Sequence, residues 1–432
     1  MTDGGNRTVL SQFPGVSVTR RTVLKVAGLV WFLSDGSGMA TQPARATDGR
    51  STTVTLPTSG GIAGQAESIL GSCWRYAEAV AIDGRTALIG VPPSDDEQGP
   101  AEGRVDVLDR SGRSWSIRES LLADSDSGQF GRVLALSGDI AAIGSELGAN
   151  PTGGHGGTVA VFSRSGDTWA RQATLGASDA RGVNLFGTAV AIGEDSILVG
   201  ASAATTDEGP TGAADLFARL DGTWRKTARL VPQSADVEDF GRSVAFDGTT
   251  AVVGAKRMDE PSATSYGTAF VFTRSGQSWH KTTELVPPER SQEDDFGATV
   301  AMTGQTIVVG APTETNELGT NAGAVHVFTR ENDQWCRTER LLDEDGRPTH
   351  QFGTVAAIDG NSLLVGSRAG PGAIGFVRTA SGWTRRTTVG HRDGNPSPGG
   401  SAVALDGTRA LVGNVGGAPH FGATDSVRVF EP

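Results

Sequence analysis

Acidic side chains gather in short runs along this chain: Asp95, Asp96 and Glu97, then Asp207 and Glu208, Asp259 and Glu260, and Glu314 with Glu317. Crowded carboxylates can hold a hard cation, or focus a negative field on a basic partner. The same residues also keep an acidic surface hydrated, so both readings stand. The histidines, His155, His280, His326, His350, His391 and His420, show no metal-ligand spacing and no pairing of base with nucleophile. Arg110, Arg164, Arg219, Arg274, Arg330 and Arg378 stand five residues before Trp115, Trp169, Trp224, Trp279, Trp335 and Trp383. Six repeated arginines cannot share one active site, so stacking on the neighbouring Trp or bracing a turn is expected of them. No catalytic residue, metal ligand or cofactor is nominated.

These residues must be positioned by a repeat. Phe130-Gly131, Phe186-Gly187, Phe240-Gly241, Phe296-Gly297 and Phe352-Gly353 open successive copies, with Tyr76-Ala77 a degenerate form and Gly399-Gly400 a lost one. A second glycine closes the next apolar run at Gly90, Gly144, Gly200, Gly254, Gly310, Gly366 and Gly413. Apolar residues alternate or run in short bursts rich in Val, Ile, Ala and Phe, which is strand periodicity. Asp83-Gly84, Asp247-Gly248, Asp359-Gly360 and Asp406-Gly407 sit where a two-residue hairpin needs positive φ. Ser137-Gly138, Gly193-Glu194 and Thr303-Gly304 vary that turn, and a second tight turn precedes each tryptophan.

Each copy thus reads as four antiparallel strands, too small a sheet to bury both faces alone. The expected fold is all-β: a seven-bladed β-propeller over residues 65–432, with copies starting near 76, 130, 186, 240, 296, 352 and 399. The seventh copy stops at Asp425–Phe430 without a tryptophan strand. An N-terminal strand should complete it. Gln65–Leu70, which is similar to Arg118–Leu122, is the preferred donor, and Thr52–Pro57 is the weaker one.

The formal charge of −12 argues against nucleic acid, whose phosphates need a basic face. Lysine is scarce beside arginine, and an acidic, Lys-poor surface resembles proteins of salt-loving archaea. At the N-terminus, Thr19-Arg20-Arg21-Thr22-Val23-Leu24-Lys25 leads into the apolar run Val26–Leu33, and Ala44-Arg45-Ala46 offers small residues for cleavage. This resembles a twin-arginine export signal, which implies residues 1–46 as a signal peptide read through Arg20, Arg21, Leu24 and Lys25, with 47–64 as a linker. The apolar run is too short to span a bilayer. Cys73 and Cys336 fall in copies one and five, which are not neighbours in a ring of seven, so no disulfide is expected.

The Phe-Gly opening and the closing Ile307-Val-Val-Gly-Ala-Pro312 resemble the FG-GAP repeat of integrin α-subunit propellers and of many secreted microbial proteins. Some members of that family carry calcium in the first hairpin through Asp-x-Asp-x-Asp-Gly. Here that turn has shrunk to two residues, so the integrin-type calcium sites are expected to be absent. The nearest fragment, Asp343-Glu344-Asp345-Gly346, follows a fourth strand and reads as a solvated loop. The turns before the tryptophans also invite comparison with the sialidase box Ser-x-Asp-x-Gly-x-Thr-Trp, but its Asp position holds Arg164.

Tight turns between strands one and two and between three and four trim one face of the ring, and the longer second-to-third and blade-to-blade connections emerge on the other. Loops on a rigid scaffold are where binding residues sit. The expected function is an exported, non-catalytic, monomeric binding, adhesion or scaffold module, engaging a protein or glycan at the cell surface through the long-loop face. The alternative is a propeller glycan hydrolase or lyase with carboxylates converging on the axis.

Overall fold

The computed structural model describes residues 53–55, 66–70, 77–93, 103–112, 114–124, 128–149, 156–177, 184–259, 264–287, 294–370, 372–390, 400–414 and 426–430. The twin-arginine segment, Tyr76 and Cys73 lie outside these residues.

Alternating apolar residues and two-residue turns fold each repeat into an antiparallel sheet. The fourth blade has strands Val237–Phe246, Thr250–Asp259, Thr264–Ser275 and Ser278–Leu285, ordered as in the chain. Six blades are four-stranded in this way, where seven were expected. The seventh repeat contributes only Ala402–Asp406, Arg409–Asn414 and Ser426–Phe430, because no tryptophan strand follows. Ala66–Leu70 pairs antiparallel with Ser426–Phe430, and Thr53–Thr55 then pairs with Ala66–Leu70. Both candidate donors are used, and the closing sheet is a composite of five strands.

First strands line the inside of the ring and pack on one another from blade to blade, including Ala402–Asp406 against Val80–Asp83. The aromatic of each Phe-Gly pair plugs its own blade. Phe130, Phe186, Phe240, Phe296 and Phe352 are essentially fully buried. Phe240 meets Phe270 and Phe272 at centroid distances of 5.5 and 6.0 Å, and Phe186 meets Phe217 edge-on at 5.9 Å. Burying each phenyl contributes roughly 1.5–3 kcal/mol, and each ring pair about 0.5–1.5 kcal/mol more.

The two glycines of the motif meet between blades. The second-strand glycine of one repeat lies against the backbone carbonyl at the Phe-Gly position of the next: Gly90 on Gly131, Gly144 on Gly187, Gly200 on Gly241, Gly254 on Gly297, Gly310 on Gly353 and Gly366 on Gly400. At the seam Gly413 lies on Ala77, which brings the last repeat against the first. A methyl group at any of these glycines would collide with main chain. In every four-stranded blade a bulge interrupts the third-to-fourth strand ladder at one shared position, between Val271 and Phe272 in the fourth.

Candidate binding face

The trimmed face is tied down. Asp83 accepts a hydrogen bond from the Gly138 amide of the next blade at 2.7 Å. Asp359 does the same for Gly407 at 2.5 Å, Asp406 for Gly84 at 2.8 Å across the seam, and Thr303 Oγ1 for Gly360 at 3.3 Å. The first-hairpin Asp therefore serves two purposes: it starts its own turn and accepts from the next. Asp247 departs from this and caps its own turn through Thr249 and Thr250.

The long-loop face carries ionisable groups as well. Glu314, after the second strand of blade five, is buried rather than presented to solvent. His326 Nε2 lies 2.7 Å from Glu314 Oε2, Arg340 Nη2 lies 2.6 Å from Oε1, and Arg340 Nη1 reaches the exposed Glu317 at 3.1 Å. Burial pushes the Glu314 carboxyl up, but the hydrogen bonds and charges of His326 and Arg340 outweigh it and hold the group below the usual glutamate value. Asp207 and Glu208 stand exposed on the turn bridged by Thr206 and Gly209. Asp259 ends its strand opposite Thr264. Asp95, Asp96, Glu97 and Glu260 lie outside the described residues.

Nearer the axis, two arginines stand two residues past the aromatic of their repeats. Arg132 bonds Glu146 of its own blade at 2.9 Å and approaches Glu78 of the preceding repeat at 3.5 Å. Arg242 forms an ion pair with Asp295 at 2.7 Å. All of these except Glu146 are buried. The axial mouth is thus built from carboxylates matched to guanidinium groups, a pattern that the separate repeats do not announce.

The Asp343–Gly346 segment corrects one expectation. Asp343 is only 2% exposed, its Oδ1 facing Arg385 at 3.4 Å and its Oδ2 facing His350 Nδ1 at 3.9 Å. Asp343 alone turns inward, with the Gly346 amide on its carbonyl at 2.6 Å and Arg385 from the next blade facing its carboxylate, while Glu344 and Asp345 stay exposed as expected of a solvated loop. Burial raises the Asp343 pKa above the usual aspartate value, with Arg385 opposing.

On the rim, the recurrent arginines brace turns and blades. Arg164 lies over Trp169 at 5.8 Å and reaches back to Thr86 Oγ1 of blade one at 2.9 Å. Arg378 reaches Thr306 of blade five at 3.1 Å, while Arg274 bonds the Gly276 carbonyl of its own turn. The tryptophans pack against the blade cores. Cys336 is a free, exposed thiol. Among the described residues, no three His, Cys, Asp or Glu side chains form a cation-holding group, and no helix is long and apolar enough to cross a membrane.

Residues 169–217, 224–272 and 279–328 match the family model described as FG-GAP repeat. Each match begins on a blade's tryptophan and ends in the third strand of the next blade. A search of curated proteins finds no match. Among solved structures, the WD40 domain of Toxoplasma gondii coronin is similar at 10% identity and a TM-score of 0.51, covering 88% of each chain. The β-propeller domain of the trilobed protease from Pyrococcus furiosus, described as an open velcro topology, matches at 8% identity and 0.48 over 83% of this chain and 94% of its own. A protein of unknown function from Desulfotomaculum acetoxidans matches at 13% and 0.47 over 76% and 92%. At these identities the likeness concerns fold alone.

Proposed function

We propose that this FG-GAP repeat β-propeller is an exported module that binds a protein or glycan at the cell surface through its long-loop face, without chemistry of its own. The observation that carries the reading is the unequal use of charge on the two faces. On the trimmed face Asp83, Asp359 and Asp406 are committed to the turns of neighbouring blades. On the other face Asp207 and Glu208 are exposed, above a base of ion-paired groups that includes Glu314 and Glu317 with Arg340.

Those buried pairs favour binding over hydrolysis. Acid–base catalysis by carboxylates needs two of them in environments that push their pKa values apart around one substrate. Here Glu146 is held by Arg132, Asp295 by Arg242 and Glu314 by Arg340. Such pairs fix the loops that leave the ring, which lowers the ordering cost of binding.

The test is capture of partners from the native cell surface by the full chain and by a chain shortened at 205–210 and 259–266. The shortened chain should lose the partners that the full chain retains. Equal capture by both would exclude the long-loop face as the binding surface.

A further inference from the structure

At the rim, the fourth strand of one blade runs beside the tryptophan strand of the next, and two of these grooves hold a glutamate. Glu119 Oε1 of blade one accepts from the Trp169 backbone amide of blade two at 3.2 Å. Glu339 of blade five accepts from the Trp383 amide of blade six at 3.2 and 2.9 Å through its two oxygens. Each glutamate stands four residues after its own tryptophan. In both grooves the arginine preceding the second tryptophan is also engaged across the blades, on Thr86 or Thr306.

The groove between blades three and four has the same walls but no glutamate at this position, and Glu284 on the blade-four wall is taken by Arg257 and Thr268. The glutamate position is Ala228, which, like Trp279, packs against the shared core of these blades. Arg274 bonds only its own turn, so it does not cross to blade three. Two more cations face this groove. Arg225 lies opposite Ala218, on the same side of the sheet as Ala228 opposite Leu216. Lys281 lies over Phe270, on the side that carries Arg274 and Trp279. Arg225, Arg274 and Lys281 are all exposed, in a chain of net charge −12. Several fourth-strand cations elsewhere on the rim meet acids: Arg118 meets Asp167, Arg171 meets Asp124 and Arg385 meets Asp345.

We propose that the rim groove between blades three and four binds the side-chain carboxylate of an acidic peptide segment, with the Trp279 amide, Arg225, Arg274 and Lys281 as its donors. The occupant follows from the sister grooves, where a peptide carboxylate already sits on the equivalent amide. Charge-assisted hydrogen bonds from guanidinium and ammonium groups to that carboxylate are the strong kind. The surface is separate from the long-loop face, so the two proposals stand or fall independently.

The experiment is fluorescence anisotropy of a labelled peptide of alternating Glu and Gly, titrated with the full chain at about 0.05 M and about 0.5 M salt. Binding should weaken with salt and persist in the chain shortened at 205–210 and 259–266. Ala228→Glu should fill the groove from within, as Glu119 and Glu339 do, and weaken peptide binding by about tenfold or more. Arg225→Ala with Lys281→Ala should weaken it comparably, and these exposed positions decide the matter if Ala228→Glu fails to fold. No binding by the natural chain, or unchanged binding by a folded Ala228→Glu or the double variant, overturns the proposal. Tighter binding of polygalacturonate than of a peptide of equal charge overturns it too, in favour of a polysaccharide.

Discussion

Replacing Gly254 with alanine isolates the contact that sets one blade against the next. The glycine is not in the left-handed region, so alanine costs nothing there in backbone conformation. It costs space, because the added methyl would meet the Gly297 carbonyl carbon and oxygen as well as Ser243 Oγ. Ser243 already bonds that carbonyl at 2.8 Å, which leaves both groups little room to yield. Overpacking of this kind costs about 1–3 kcal/mol, and main chain rather than a flexible side chain must move, which places the estimate at the upper end. Reduced freedom of the unfolded chain returns about 0.4–1 kcal/mol, leaving a net loss of roughly 2 kcal/mol. Gly276→Ala is the matched control: φ is +63° with nothing within 4 Å, so only left-handed strain of about 1–2 kcal/mol applies, less the same return. Urea unfolding of both variants and the natural chain measures the difference. A Gly254→Ala protein as stable as the natural one, or one less affected than Gly276→Ala, would refute the reasoning.

Deleting residues 60–72 removes the strand paired with Ser426–Phe430 and should lower the midpoint of the whole unfolding transition; a change confined to a local probe would contradict ring closure. Below neutral pH two carboxyls act with opposite sign. The depressed Glu314 value contributes stability that is present above the unfolded glutamate pKa and lost as pH falls through the lower folded value, so Glu314→Gln should flatten the acid limb of a stability–pH curve. The raised Asp343 value makes its contribution fall as pH climbs from the unfolded to the folded pKa, so Asp343→Asn should cost less at neutral pH than at low pH; the reverse order in urea midpoints would count against its burial as the cause. Arg20→Lys with Arg21→Lys should abolish export, measured by fractionation, and normal secretion of that variant would exclude the twin-arginine route.

Strand pattern, hairpin positions and the two trimmed turns of each blade could be read from alternation and from Asp-Gly pairs, since these are local properties. The blade count could not, because the seventh copy ends before a fourth strand and the three-residue strand Thr53–Thr55 is too short for a periodicity to show. The second role of Asp83, Asp359 and Asp406 depends on an amide one repeat away, which no local pattern encodes. Glu314 and His326 meet across the second-to-third strand connection; their pairing required the register of Val309 with His326, not the spacing between them. Asp343 looked solvated because two more acids and a glycine follow it, whereas its burial is set by Arg385 from another blade. The glutamates at 119 and 339 carried a faint signal, recurring at the same offset after tryptophan in two blades only.

The composite sheet also orders events in time. The strand 66–70 precedes every blade in the chain, yet the strand it pairs with, 426–430, follows all six. A nascent chain can stack successive blades as they emerge, but the circle is sealed only once residues 426–430 have been made, so a chain cut short of them leaves the strand 66–70 without its partner.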